Sequence, residues 1–160
     1  IQTPVVVGGT AYFLASDGVN GLELWKSDGT PAGTEMVKDI TAGSASSSIS
    51  NLTALGGALY FVNRDATYGS ELWRSDGTPA GTQVLKDINP GAASSNPSQL
   101  TRVGSEIYFY ASDASGQPLP WKTDGTAAGT TPVASSALVP KSAPTVSHIA
   151  KLGNDHLYIG

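Results

Sequence analysis

Glu23-Leu24-Trp25-Lys26-Ser27-Asp28-Gly29-Thr30-Pro31-Ala32-Gly33-Thr34 returns almost unchanged as Glu71-Leu72-Trp73-Arg74-Ser75-Asp76-Gly77-Thr78-Pro79-Ala80-Gly81-Thr82. A third, worn copy runs from Leu119-Pro120 through Trp121 and Asp124-Gly125-Thr126 to Gly129-Thr130. Trp25, Trp73 and Trp121 therefore stand 48 residues apart, and so do Tyr12, Tyr60 and Tyr108. Three registers of different chemistry share one period, which marks a repeat architecture rather than a single irregular domain.

The second copy shows what each unit contains. Leu52 to Leu55 alternates and ends at Gly56-Gly57, and Ala58 to Asn63 is an aliphatic and aromatic run. Both read as strands, the second buried on two faces. Glu71 to Arg74 alternates again, and Asp76-Gly77 is a turn signal directly after it. Thr82 to Ile88 reads as a fourth strand, with Val84, Lys86 and Ile88 on one face and Leu85 and Asp87 on the other. Asn89 to Pro97 is rich in Pro, Gly, Ala, Ser and Asn and reads as a loop. No window carries a sustained helical period with caps, so almost no helix is expected.

Four short strands in a unit of this length is the size of a propeller blade, and one such sheet buries both faces only by stacking on its neighbours. The fold expected is all-β: β-propeller-type blades of four antiparallel strands, about three and a third of them. The units are residues 1–48, 49–96, a degenerate 97–144, and 145–160 as the start of a fourth. Within that last stretch Leu152-Gly153 matches Leu55-Gly56, and Leu157-Tyr158 matches Leu59-Tyr60. A β-solenoid is the rival architecture, but its coils are usually shorter. Trp25, Trp73, Trp121, Tyr12, Tyr60 and Tyr108 are the expected anchors between sheets. Rings normally take four to eight blades, so the expected partners are the rest of a longer array or further copies of the chain, as an oligomer or a filament. Ile1 in place of a start methionine is expected of a mature or excised piece.

Bulk composition narrows the function classes. The chain has 160 residues, 39% of them hydrophobic and only 14% charged, with a net charge of −4. The nine Lys and Arg are scattered singly, which speaks against a nucleic-acid or anionic-membrane surface. No cysteine is present, which removes disulfides and thiolate chemistry. No run approaches 18 apolar residues, so no membrane span is expected.

The quoted dodecamer resembles the ELWxxDGT repeat proteins, and the resemblance covers essentially the whole chain. The third copy departs from the pattern at Leu119 and Pro120, and Ser135-Ser136 replaces the Asp-Ile of Asp39-Ile40 and Asp87-Ile88. Members of that family occur in large secreted or surface-attached bacterial proteins, so the resemblance implies an extracellular or cell-surface location and supplies no chemistry. The turn is also similar to the Asp-box of sialidase propellers, with a different spacing; there the aspartate is structural.

Candidate site residues come from the loops. Asp28, Asp76 and Asp124 precede Gly29, Gly77 and Gly125, and the expected role is to organise the turn by accepting backbone amides. A structural calcium is the alternative, but each turn offers one carboxylate where calcium takes several oxygens. A second row, Asp17, Asp65 and Asp113, lies in the loop between the second and third strands and is the place for shallow glycan sites. Tyr68 sits in that loop too, without repeating: Asn20 and Gly116 fill its position. Glu23 and Glu71 suit a glycosidase pair by residue type only, and their repetition speaks for a structural role. His148 and His156, with Asp155 beside the second, complete no catalytic motif. No catalytic residue and no cofactor is assigned. The expected function is a non-enzymatic extracellular module for adhesion, surface structure or self-assembly, with a carbohydrate-binding propeller as the alternative and a propeller-type hydrolase behind both.

Overall fold

The computed structural model describes residues 3–134 and the backbone of the strands Ile149–Leu152 and His156–Ile159. Each 48-residue unit forms one antiparallel meander. The first sheet comprises β1 (Val5–Val7), β2 (Thr10–Ala15), β3 (Glu23–Ser27) and β4 (Glu35–Lys38), in that spatial order. The second comprises β5 (Ser50–Leu55), β6 (Ala58–Asp65), β7 (Gly69–Ser75) and β8 (Gln83–Lys86). The third comprises β9 (Ser98–Val103), β10 (Glu106–Ser112), β11 (Pro118–Thr123) and β12 (Thr131–Pro132). A hairpin of β13 (Ile149–Leu152) and β14 (His156–Ile159) opens a fourth unit, with Leu152 opposite His156 as Leu55 stands opposite Ala58. No helix occurs among the described residues.

Consecutive sheets lie face to face and approach most closely at their first strands: β1 beside β5, β5 beside β9, and β9 beside β13. The alternation of each strand fills the two seams. In the first seam Val7, Tyr12, Leu24 and Val37 of one sheet meet Leu59, Phe61 and Trp73 of the next. In the second, Leu55, Tyr60, Leu72 and Ile88 meet Ile107, Phe109 and Trp121. Phe61 and Trp73 are cross-strand partners with ring centroids 6.3 Å apart, and Phe13–Trp25 and Phe109–Trp121 occupy the same register.

Two expectations need correction. β8 ends at Lys86, and a register shift at Leu72/Trp73 breaks the alternation, so Leu85 and Ile88 share the second seam while Val84 faces the first. A bulge adds one residue to one strand and reverses the facing of the residues beyond it. Trp25 is not a core anchor among the described residues: it is half-buried, whereas Trp73 and Trp121 are 5% and 6% exposed. Its strand register turns it to the outer face of the first sheet, and no described sheet lies there.

Candidate functional site

The three Asp-Gly-Thr turns are one structure repeated. In the second, the Asp76 Oδ1 accepts the Thr78 amide at 2.9 Å and the Thr78 hydroxyl at 2.7 Å. The Gly81 amide donates to that same hydroxyl oxygen at 3.0 Å, and the Thr82 hydroxyl donates to the Thr78 carbonyl at 2.7 Å. The Asp28 and Asp124 turns repeat this network bond for bond. The carboxylate lies over Gly81, where a Cβ would collide with it, and Gly33 and Gly129 sit the same way under Asp28 and Asp124. Hydrogen bonds, first from the threonine hydroxyl and then from its amide, hold all three carboxyls below the ordinary aspartate value. Each of these carboxylates accepts its hydrogen bonds from the threonine of its own turn.

The second and third turns are also landing points of the preceding sheet. Lys38 Nζ donates to the Thr82 carbonyl at 2.8 Å, and Lys86 Nζ donates to the Thr130 carbonyl at 2.7 Å, 44 residues later in each case. Lys26 Nζ reaches the Gly77 carbonyl at 2.8 Å while paired with Glu35 at 3.0 Å. The Tyr12 hydroxyl lies against Gly77, where only a glycine leaves room, and the Tyr60 hydroxyl donates to the Gly125 carbonyl at 3.3 Å. The third sheet departs from this pattern. Its Tyr108 hydroxyl and Lys122 Nζ both turn to Glu106, each at 2.8 Å, and Ala134 replaces the fourth-strand lysine.

Glu23, the first residue of β3, and Glu71, the third of β7, are fully buried. Glu71 accepts the amides of Ile88, Asn89 and Ser95 and the Ser95 hydroxyl; Glu23 accepts those of Ile40, Thr41 and Ser47 and the Ser47 hydroxyl. Each carboxylate thus pins the connection that leads to the next sheet. Burial pushes the Glu71 carboxyl up, against the opposing pull of Ser95 and the backbone amides. The third copy puts Leu119 at this position, and it is 42% exposed.

The second aspartate row also organises loops. Asp17 accepts the Val19 and Asn20 amides, Asp65 those of Thr67 and Tyr68, and Asp113 that of Ser115. These loops stand at the opposite end of β3, β7 and β11 from the Asp-Gly-Thr turns, so the two rows do not combine. No three metal-ligating side chains converge among the described residues. Asp65 borders a cleft of about 590 Å³, together with Arg64, Thr41, Ser46, Ser48 and Ala92. Tyr68 is half-buried and does not line it. His148, Ser135, Ser136 and the side chains of Asp155 and His156 lie outside the described residues.

No family model, curated protein or solved structure matches the chain. Sequence reading missed the seam lysines, the Glu106 pair and the glutamate clamps. The signal was present in part, since Lys38/Lys86 and Ser47/Ser95 keep the same 48-residue spacing as the tryptophans.

Proposed function

We propose that this chain is a non-enzymatic repeat scaffold of the ELWxxDGT type, whose sheets are blades of a propeller and which serves adhesion, surface structure or self-assembly outside the cell. The observation that carries the reading is the reuse of one seam: the same tryptophan–phenylalanine pair, tyrosine and lysine recur where the first sheet meets the second and where the second meets the third. The close approach at the first strands, with sheets spreading away from them, supports blades around a common axis. The clamped glutamates support a structural rather than catalytic use of the chain's buried carboxylates.

The cleft beside Asp65 favours carbohydrate binding as the second reading. Its exposed Arg64 and three hydroxyl side chains suit a hydroxylated ligand, and Arg64 is replaced by serine in the other two copies, Ser16 and Ser112. Glycan-array binding combined with light scattering over a concentration series tests both. Assembly without glycan binding is the outcome expected of a scaffold. Saturable glycan binding that is lost in Arg64→Ala replaces the first reading with the second, and substrate turnover overturns both.

A further inference from the structure

The geometry points to the outer face of the first sheet as a docking site for one further four-stranded sheet of this same 48-residue repeat, tied through the Gly29 and Thr34 carbonyls. The inference rests on the stacked-sheet reading and adds the occupant and its contacts.

Val6, Phe13, Trp25 and Met36 form on this face the stripe that Ala54, Phe61, Trp73 and Val84 form on the second sheet. On the second sheet that stripe belongs to a buried seam. On the first no described sheet covers it: Val6 is 62% exposed, and Phe13, Trp25 and Met36 are half-buried. The polar half of the face is equally complete. Thr82 and Thr130 are fully buried where the preceding sheet's lysine reaches them, while Thr34, with the same turn bonds, is exposed. Gly77 is buried beneath Tyr12 and Lys26, while Gly29 is exposed. Apolar area left open on a formed sheet is an interaction surface by ordinary surface statistics. Here the acceptors beside it specify the partner's donors: a tyrosine on a second strand and lysines on a third and fourth strand.

A second copy of this chain does not present that trio. The donor faces of its first and second sheets are already covered by its own second and third sheets. Its third sheet has Tyr108 and Lys122 held by Glu106, and Ala134 where the last lysine should be. The occupant is therefore a repeat sheet with the donors of the first sheet, Tyr12, Lys26 and Lys38; the second sheet carries Arg74 in place of the third-strand lysine.

The test is hydroxyl-radical footprinting of the three tryptophans, read by mass spectrometry. In the chain as it stands, Trp73 and Trp121 should be protected and Trp25 reactive at every protein concentration. The full chain is then lengthened at its N-terminus by one added copy of residues 1–48, in which Trp25→Phe keeps the readout unambiguous. Trp25 of the original copy should fall to the reactivity of Trp73. With Tyr12→Phe, Lys26→Met and Lys38→Met in the added copy alone, part of that protection should be lost. Continued reactivity of Trp25 in the lengthened chain overturns the docking site, and undiminished protection with the triple variant overturns the assigned acceptors. Concentration-dependent protection in the natural chain would make a second copy the occupant and overturn the proposal. Reactive Trp73 and Trp121 would overturn the stacked-sheet reading instead.

Discussion

The Asp76 carboxylate rests directly over Gly81, so the turn has no space for even one methyl group. Gly81→Ala is expected to cost about 1–3 kcal/mol by overpacking, measured as a shift in the urea midpoint at constant slope. Titration adds a second expectation. Asp28, Asp76 and Asp124 have depressed folded pKa values, so their contribution is present above the ordinary 3.8 and is lost as pH falls through the folded value. Glu71 is raised above 4.5 by burial, so its contribution has the opposite sign, fully present below 4.5 and lost as pH rises through the folded value. Stability should therefore hold or rise on acidification toward 4.5 and fall once pH drops below 3.8. Glu71→Gln should remove the first limb only, as followed by urea unfolding from pH 6 to pH 2. Asn63 supplies the third test: it is fully buried, neither amide atom has a partner among the described residues, and Ala15 and Ala111 stand in its place elsewhere. Asn63→Ala should be neutral or raise the melting temperature, because an unsatisfied buried amide carries a desolvation cost; a clear drop would mean the amide has an unseen partner. At this scale the sequence was legible where the chemistry is local. Asp-Gly-Thr bonds within its own turn and could be read in place, whereas the Lys38 contact with Thr82 requires knowing which sheet face meets which.

Strands carry the energetics of the seams. Trp73 is enclosed between two sheets, and Trp73→Ala is expected to cost on the order of 3–5 kcal/mol. Trp25→Ala, the same substitution in the same strand register, should cost markedly less, since the Trp25 ring is only half covered. Equal losses in chemical denaturation would show that both rings sit in equivalent surroundings. Most strands were legible from alternation and turn residues: β6 was expected at Ala58 to Asn63 and runs to Asp65, and β7 begins two residues before the expected Glu71. β8 was misread for a physical reason. The same bulge sits opposite Leu24 and Trp25 in the first sheet, which is covered on one face only among the described residues, and nothing within Gln83–Lys86 announces it.

Among the described residues, the second sheet is covered on both faces, and its β6 is buried from Ala58 to Asn63. In a stack where each unit touches only its neighbours, stability is a sum of unit and junction contributions. Amide exchange should then be slowest in β6 and β7 and faster in β1 and β4; uniform protection through all three sheets would mean a single cooperative unit. The repeat count and the all-β architecture were legible because the tryptophan period is independent of any tertiary contact. The Glu106 pair on the third sheet was not, since Thr10 and Ala58 stand at its position in the other copies and its role shows only when Tyr108 and Lys122 are seen to reach it. The lysine-to-turn tie has a further consequence, at the level of the gene. Because Lys38 and Lys86 meet turns built on the same hydrogen bonds, an in-frame duplication or loss of a 48-codon unit between the first two copies yields a junction that already fits. Unequal recombination can lengthen or shorten such a coding sequence in whole units without a compensating mutation, so related coding sequences should differ in length by multiples of that unit.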